Sequence, residues 1–269
     1  MHRILLSASS VVRNGGQNEM QTLKGKTALV VGASSGVGRA TLGALVAEGM
    51  KVVGVARGRE RLDRIVRDTA GEVSGIAADA TMPDVAARLV REVDPDVVVL
   101  SMGVLAELHP VDEHTWESFS APWNVDVKAA FHLCQEVVRK PLRPGSTVIL
   151  LSSGAAIAGS PLSGGYAGAK RMQWLLAGYM QGLSERRGLG LRFAALLPKQ
   201  LIVGTAIADA ASTAYGDQAG IGQAKFMARW EKQLMPDGVA SAIVQIARGE
   251  PGTEATSLAV SGTGIEALQ

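Results

Sequence analysis

The sequence predicts an α/β fold: one doubly wound parallel sheet of seven strands with helices on both faces. Three observations carry that reading. From Lys24 onward, short runs rich in β-branched residues alternate with longer stretches of helical period. The short runs are apolar throughout rather than every second residue, as befits strands covered on both sides. No Pro/Gly/Ser-rich linker and no fixed repeat interrupts the alternation, so residues 22–269 read as one domain.

In chain order, strands are expected at 27–32, 51–57, 71–77, 96–101, 146–152, 191–197 and 257–260. Helices are expected near 36–48, 59–69, 83–93, 113–138, 165–187, 222–233 and 237–248. The stretch from Thr205 to about Gly222, rich in Ala, Gly and Asp, is expected to be a long connection. Residues 1–21 start basic, pass through ILLSASSVV and turn polar; they read as a leader or disordered extension, with Met20 an alternative start.

Composition excludes several function classes. With 47% hydrophobic and 19% charged residues, the chain of 269 can bury a large core and is not a disordered polymer. Lys and Arg total 27 against 25 Asp and Glu, a net +2 that makes no field for nucleic acid. The longest apolar stretches fall short of the roughly 20 residues that span a bilayer, so neither a membrane nor nucleic acid is an expected partner. Cys134 is the single cysteine, which rules out an intramolecular disulfide and a Cys-rich metal site and fits a reducing, cytoplasmic compartment. His109, His114 and His132 lack metal-ligand spacing, and no metal is expected. The 32 glycines outnumber the four Phe, three Tyr and four Trp, pointing to tight turns and close backbone approaches rather than an aromatic binding surface.

Where the first strand runs into the first helix, the chain reads Val31-Gly32-Ala33-Ser34-Ser35-Gly36-Val37-Gly38. Glycines at such a turn let backbone amides close on a diphosphate, which the positive end of the helix dipole favours. A tight βα turn without a ligand is the plainer account. The spacing Gly32-x3-Gly36-x-Gly38 resembles the TGxxxGxG motif of the short-chain dehydrogenase/reductase family, with Val31 in place of Thr. The resemblance runs over nearly the whole chain from Lys24 and implies a single-domain Rossmann-type fold. It also implies an oxidoreductase that passes a hydride between a nicotinamide cofactor and a carbonyl or alcohol.

Cofactor choice falls to the end of the second strand, where a carboxylate would bind the ribose hydroxyls of NAD. Here the residues are Ala56-Arg57-Gly58-Arg59, with no acid and two guanidinium groups suited to a 2′-phosphate. NADP(H) is therefore expected, with NAD(H) the lesser choice; the alternative is that Arg57 and Arg59 cap a solvated helix start. Asp79 resembles the family's acidic position beside the adenine, or else is a surface turn residue. Ser34, Ser35 and Val37 complete the phosphate turn. Gly103, at the end of Leu100-Ser101-Met102-Gly103, stands where the family has NNAG, and permits close approach to the cofactor.

Tyr166-Ala167-Gly168-Ala169-Lys170 matches the family's YxxxK, and residues four apart share a helix face, placing the ammonium below the phenol. A free phenol ionises near pH 10, and a cation at about 4 Å stabilises the phenolate by up to roughly 4 kcal/mol at an effective dielectric of 20. Tyr166 then acts as general acid in reduction and general base in oxidation. Ser153, thirteen residues upstream, matches the family serine that holds the substrate oxygen; Ser152 is its neighbour and competitor. Asn124, in Trp123-Asn124-Val125, is matched to the helix asparagine of the family's proton relay, and a local backbone bond is its plainer role. Lys170 is also expected to hold the ribose.

Further expectations are weaker. Thr205, after Pro198-Lys199, is a displaced candidate for the nicotinamide contact, and Lys199 is either a contact to phosphate or acidic substrate, or a solvated lysine. Phe226, Met227, Trp230 and Met235 are candidates for an apolar pocket wall; Phe226, Trp230 and Leu234 would equally make an ordinary amphipathic helix face. On the Tyr166 helix, Met172, Leu175, Leu176, Tyr179, Met180 and Leu183 read as the buried stripe. Trp174 reads as exposed, on a helix that pairs subunits in the family, which implies a homodimer or homotetramer. The competing function is a cofactor-binding sensor or scaffold without turnover, and a dehydratase or epimerase is the third reading.

Overall fold

A computed structural model describes residues 21–268, so the expected leader, Gln21 apart, lies outside the described residues. The first half runs β1 (Thr27–Val31), α1 (Gly36–Ala47), β2 (Lys51–Ala56), α2 (Arg59–Asp68), β3 (Val73–Ala77), α3 (Pro83–Val93) and β4 (Val97–Leu100). Then follow α4 (Trp116–Pro122), a π-helical turn (Trp123–Val127), α5 (Lys128–Arg139), β5 (Thr147–Leu151), the single turn α6 (Ala155–Ala158) and α7 (Tyr166–Arg187). The chain ends with β6 (Arg192–Pro198), α8 (Ala206–Gln218), α9 (Gly222–Met227), α10 (Pro236–Arg248), β7 (Ser257–Ser261) and β8 (Gly264–Ala267).

The strands lie in the order β3-β2-β1-β4-β5-β6-β7-β8. All pairings are parallel except that of β7 with β8. Strand order reverses between β1 and β4, where Val31 pairs with Val55 on one side and Leu100 on the other. Ligands of doubly wound sheets bind at the carboxyl ends of the strands beside such a reversal. One face of the sheet packs under Leu42 and Leu45 of α1 and Val239, Ile243 and Ile246 of α10. The other packs under Leu89 of α3, Leu133 and Val137 of α5, and Leu176 and Ala177 of α7. Each fully buried leucine contributes about 1.5–3 kcal/mol, so the two layers hold the carboxyl edge rigid. Among the described residues, no helix is long and apolar enough to cross a membrane.

The sheet has eight strands rather than seven. The eighth turns back through Gly262-Thr263 as a two-residue hairpin, and its short, mostly exposed GIEA carries no buried-strand signature. The expected helix over 113–138 is interrupted: Pro122 ends α4, and the chain widens into the π turn before α5 resumes. The connection after Thr205 is largely helical as α8, whose first turn is capped by the Thr205 hydroxyl accepting from the Ala208 N–H at 3.2 Å. The helix expected over 222–233 stops at Met227.

The α7 stripe is also different. Its inward residues are Ala169, Lys170, Gln173, Leu176, Ala177 and Ser184, while Leu175 and Tyr179 face outward. Polar anchors turn the helix: Ser184 Oγ donates to the Leu191 carbonyl at 2.8 Å, and Gln181 Oε1 accepts from the Phe193 N–H at 2.8 Å. Trp174 is part-buried rather than exposed. Its indole N–H donates to Ser257 Oγ at 2.7 Å, and the Arg171 guanidinium lies 4.1 Å over its ring.

Candidate active site

A cavity of about 720 Å³ opens at the carboxyl edge of the sheet, beside the β1/β4 reversal. One end is built by the glycine turn. Gly32 takes φ +91°, and a Cβ there would lie 2.7 Å from the Met102 nitrogen; at Gly38 it would lie 2.1 Å from the Gly32 carbonyl oxygen. Only glycine fits either position, and the result is a bare backbone cradle. The first turn of α1 has no side-chain cap, which leaves its amides for a ligand. Ser34, Ser35, Gly36 and Val37 all line the cavity here.

Beyond β2, Arg57 lines the wall, as does Arg61 one turn into α2; Arg59 does not. Arg61 is the arginine that the sequence reading missed, and its signal was available. Position 61 is third in a helix beginning at Arg59, so it turns back over the strand end. Asp79 lines the same end, with its Oδ1 accepting from the Thr81 N–H at 3.0 Å. That backbone bond, opposed by partial burial and helped by the Thr81 side chain, Arg57 and Lys128, holds its carboxyl below the usual range.

At the other end of the cavity Ser153, Tyr166 and Lys170 share one wall. Ser152 Oγ is buried and donates to the Lys170 carbonyl at 2.7 Å, so its hydroxyl is committed to the helix backbone. Ser153 sits two residues beyond β5, where its Oγ accepts from the Ala155 N–H at 3.2 Å. Tyr166 opens α7, and the Lys170 ammonium lies 5.7 Å from its ring centre. The helix start is fixed from below, since Trp123 Nε1 donates to the Gly165 carbonyl at 3.1 Å.

Asn124 is exposed and bonds Ser120 Oγ at 3.1 Å; it is not among the lining residues. The residue that the π turn aims at Lys170 is Asp126, fully buried, with Oδ2 at 3.0 Å from the ammonium. Its Oδ1 accepts from the Val104 N–H at 3.0 Å. Burial, the largest influence on Lys170, works against its charge, yet Asp126 and Tyr166 together carry its pKa above the usual lysine value. Gly103 lies over this pair: a Cβ on it would be 3.6 Å from Asp126 Oδ2 and 3.9 Å from Lys170 Nζ. Ser101 Oγ, in the place of an amide, donates to the Val31 carbonyl at 2.9 Å and ties β4 to β1.

The roof comes from the segment after β6. Thr205 lines the cavity, and its methyl lies 3.3 Å from where a Gly36 Cβ would be. Lys199 also lines it, but its ammonium pairs with Glu266 of β8 at 2.9 Å, both groups largely solvated. Phe226, Trp230 and Tyr215 form an aromatic wall, with the Tyr215 and Phe226 rings stacked 6.1 Å apart and the Arg229 guanidinium 3.4 Å over Phe226. Met227 and Met235 are not part of it, and Leu234 belongs to the core. Tyr215 was not foreseen; its hydroxyl bonds Ser160 Oγ at 2.7 Å and accepts from the Leu162 N–H at 3.1 Å.

Comparison with known proteins identifies the family. L-xylulose reductase from Mus musculus is 33% identical over 136 residues, covering 50% of this chain and 55% of that protein. Versicolorin reductase from Emericella nidulans is 32% identical over 158 residues, covering 55% and 59%. The alignments thus span little more than half the length of these curated relatives. A short-chain dehydrogenase/reductase of the glucose/ribitol dehydrogenase type from Brucella melitensis superposes with a TM-score of 0.75 at 22% identity, covering 90% of this chain and 97% of that one. NAD+-bound xylitol dehydrogenase superposes at 0.78 and 16% identity, covering 90% and 100%. These two likenesses concern the fold. The short chain dehydrogenase model matches residues 26–200, from the start of β1 past the glycine turn, the serine and the tyrosine-lysine pair to the end of β6, and on that match the chain belongs to the short chain dehydrogenase family.

Proposed function

We propose that this chain is an NADP(H)-dependent oxidoreductase acting on a small-molecule carbonyl or secondary alcohol, with residues 22–269 as the catalytic domain. The observation that carries the reading is one cavity lined at one end by Gly32, Ser34, Ser35, Gly36 and Val37 of the glycine turn and at the other by Ser153, Tyr166 and Lys170. The bare cradle and the uncapped first turn of α1 fit a dinucleotide diphosphate. When bound, the nicotinamide supplies or accepts the hydride. Tyr166 gives its phenolic proton to the carbonyl oxygen in reduction and takes it back in oxidation. Ser153 donates a hydrogen bond to the same oxygen and holds it against the phenol. Lys170, its ammonium held by Asp126 and Gln173, favours the phenolate after the proton has left.

Arg57 and Arg61 support NADP(H): two guanidinium groups on the adenine side suit a 2′-phosphate, and β2 ends without an acid. Asp79, Gly103 and Thr205 line the rest of the dinucleotide path. Phe226, Trp230 and Tyr215 favour a substrate with an apolar portion. Trp116, Trp123, Phe131, Leu175 and Tyr179 are exposed apolar groups on or beside α4, α5 and α7, and support a homodimer or homotetramer, measurable by light scattering. The single buried thiol is in keeping with a cytoplasmic setting.

NADPH oxidation with a panel of ketones and aldehydes tests the activity, with Tyr166→Phe as control. Turnover that falls at least 100-fold in the variant is expected; unaltered turnover, or tight NADPH binding with no carbonyl reduced, overturns the reading and leaves a cofactor-binding sensor. For the cofactor, NADPH is expected to bind at least tenfold more tightly than NADH, with Arg57→Ala removing the difference. Equal affinities refute it.

A further inference from the structure

Among the described residues, five cationic side chains line the cavity, Arg57, Arg61, Lys170, Lys199 and Arg229, against one carboxylate, Asp79. Arg57 and Arg61 belong with Asp79 to the proposed adenine end. The Lys170 ammonium lies 3.0 Å from Asp126 Oδ2, and Lys199 pairs with Glu266 at 2.9 Å. Arg229 remains: among the described residues its guanidinium pairs with no carboxylate. The substrate end of the cavity thus carries one positive charge that the protein does not neutralise.

That charge is held in one attitude. Arg229 Nε donates to the Phe226 carbonyl at 3.0 Å, and Cζ lies 3.4 Å from the Phe226 ring centre and 5.3 Å from that of Trp230. Phe226 is buried and stacks on Tyr215, whose hydroxyl is tied to Ser160 and to the Leu162 N–H. The platform under Arg229 is therefore anchored to the loop that leads into Tyr166. Stacking occupies the face of the guanidinium and the Phe226 carbonyl occupies Nε. The two terminal amino groups have no acceptor among the described residues, and together they make an end-on fork. A carboxylate offers two oxygens to such a fork, and a guanidinium already fixed by its ring and its Nε loses little freedom in taking it up. Arg229 is exposed while it lines the cavity, so it stands at the rim.

We propose that the substrate carries a carboxylate: a ketone or secondary alcohol whose reacting carbon lies against Tyr166, whose apolar middle lies against Tyr215, Phe226 and Trp230, and whose carboxylate is taken end-on by Arg229. This rests on the oxidoreductase reading and narrows its substrate class. The carboxylate takes no part in the hydride or proton transfer. Arg229 decides which molecules are held and which way round they lie, since a substrate gripped by its charge at the rim has its other end directed to the phenol. An amide of the same shape keeps the apolar contacts and loses the ionic one. At a partly solvated rim that contact is worth about tenfold in affinity.

Binding tests this without turnover. 2-Naphthoate and 2-naphthamide, alike in shape and different in charge, are titrated calorimetrically into the full chain in excess NADP+. Naphthoate is expected to bind about tenfold more tightly than naphthamide. Arg229→Gln should bring the two affinities together, while Lys199→Gln and Arg57→Ala leave the preference in place. Equal affinities in wild type, no binding of naphthoate, a preference that outlives Arg229→Gln, or one lost with Lys199→Gln or Arg57→Ala overturns the proposal. In turnover with NADPH, oxo acids of rising chain length, each compared with its primary amide, should show the same preference in KM, again lost in Arg229→Gln. If no ketone is reduced, or Tyr166→Phe leaves reduction unaltered, the oxidoreductase reading fails, and the naphthoate titration still decides whether Arg229 holds a carboxylate.

Discussion

Replacing Gly38 by Ala tests the cofactor cradle most directly. The added Cβ would lie 2.1 Å from the Gly32 carbonyl oxygen, 2.7 Å from its carbon and 2.7 Å from Ser101 Oγ. The first of these is about 1 Å inside any real contact, and two of the three atoms are backbone, so α1 must retreat from β1. Overpacking of this kind costs about 1–3 kcal/mol, which for a chain of this size lowers Tm by roughly 3–10 °C. The amides of the first turn of α1 move with it, and losing one charge-assisted bond to a phosphate costs about 1.5–3 kcal/mol, or at least tenfold in Kd. Thermal melting and NADPH fluorescence titration measure the two effects. Gly43→Ala on the same helix is the control: nothing lies within 4 Å of its added Cβ, so stability should rise by about 0.5–1 kcal/mol with Kd unchanged. If Gly38→Ala melts and binds NADPH like wild type, the close-packed cradle is refuted.

Three further outcomes follow from the geometry. Asp126→Ala leaves the Lys170 ammonium buried without its counter-ion and should cost about 3–5 kcal/mol in urea unfolding, more than the double change of Asp126→Asn with Lys170→Gln. Arg192 donates to the Ile246 carbonyl at 2.6 Å and to the Thr253 carbonyl, joining β6 to the last turn of α10 and to the connection that follows it; Arg192→Met should cost about 1.5–3 kcal/mol by the same assay. Burial pushes the Cys134 thiol up to about 12, while in the unfolded chain it ionises near 8.5. The folded state therefore holds this proton where the unfolded state has lost it. Its contribution is fully present below about pH 8.5 and declines by up to about 1.4 kcal/mol per unit above that, ending near pH 12. Urea midpoints of wild type and Cys134→Ala should diverge above pH 8.5, and parallel curves would contradict the assignment.

The parts of the molecule legible in the sequence are those encoded by local pattern. β1, β4, β5 and β6 are uninterrupted apolar runs because both faces are covered, and each falls at its expected place. The glycine turn was legible because a missing Cβ has a local consequence. What escaped depended on partners far along the chain. Trp174 looked exposed by periodicity, but its indole is taken by Ser257, 83 residues away. Arg59 and Arg61 are equally basic in sequence; only the start of α2 decides that Arg61 reaches the cavity wall. β8 has too little buried surface to leave an apolar signature, and its pairing with β7 comes from the Gly262-Thr263 turn.

The same logic explains why Asn124 was chosen and Asp126 overlooked. Asn124 is the asparagine of this stretch and so was matched to the family's helix asparagine by residue type, whereas a buried carboxylate carries a desolvation cost that makes it rare. That cost is the informative quantity. Asn124 and Asp126 are two positions apart on one helical stretch and so point to nearly opposite sides, one to solvent and one to the ammonium. The wide π turn beginning just after Pro122 sets the register that brings Asp126 inward, and Val104 and Gln173 then satisfy its Oδ1 and its backbone carbonyl. An acid completely removed from water persists only with a compensating partner, and the partner here is the very lysine assigned to tune Tyr166. Lys170 cannot therefore act as a free cation: its ammonium is held by Asp126 Oδ2, Gln173 Oε1 and the Leu151 carbonyl.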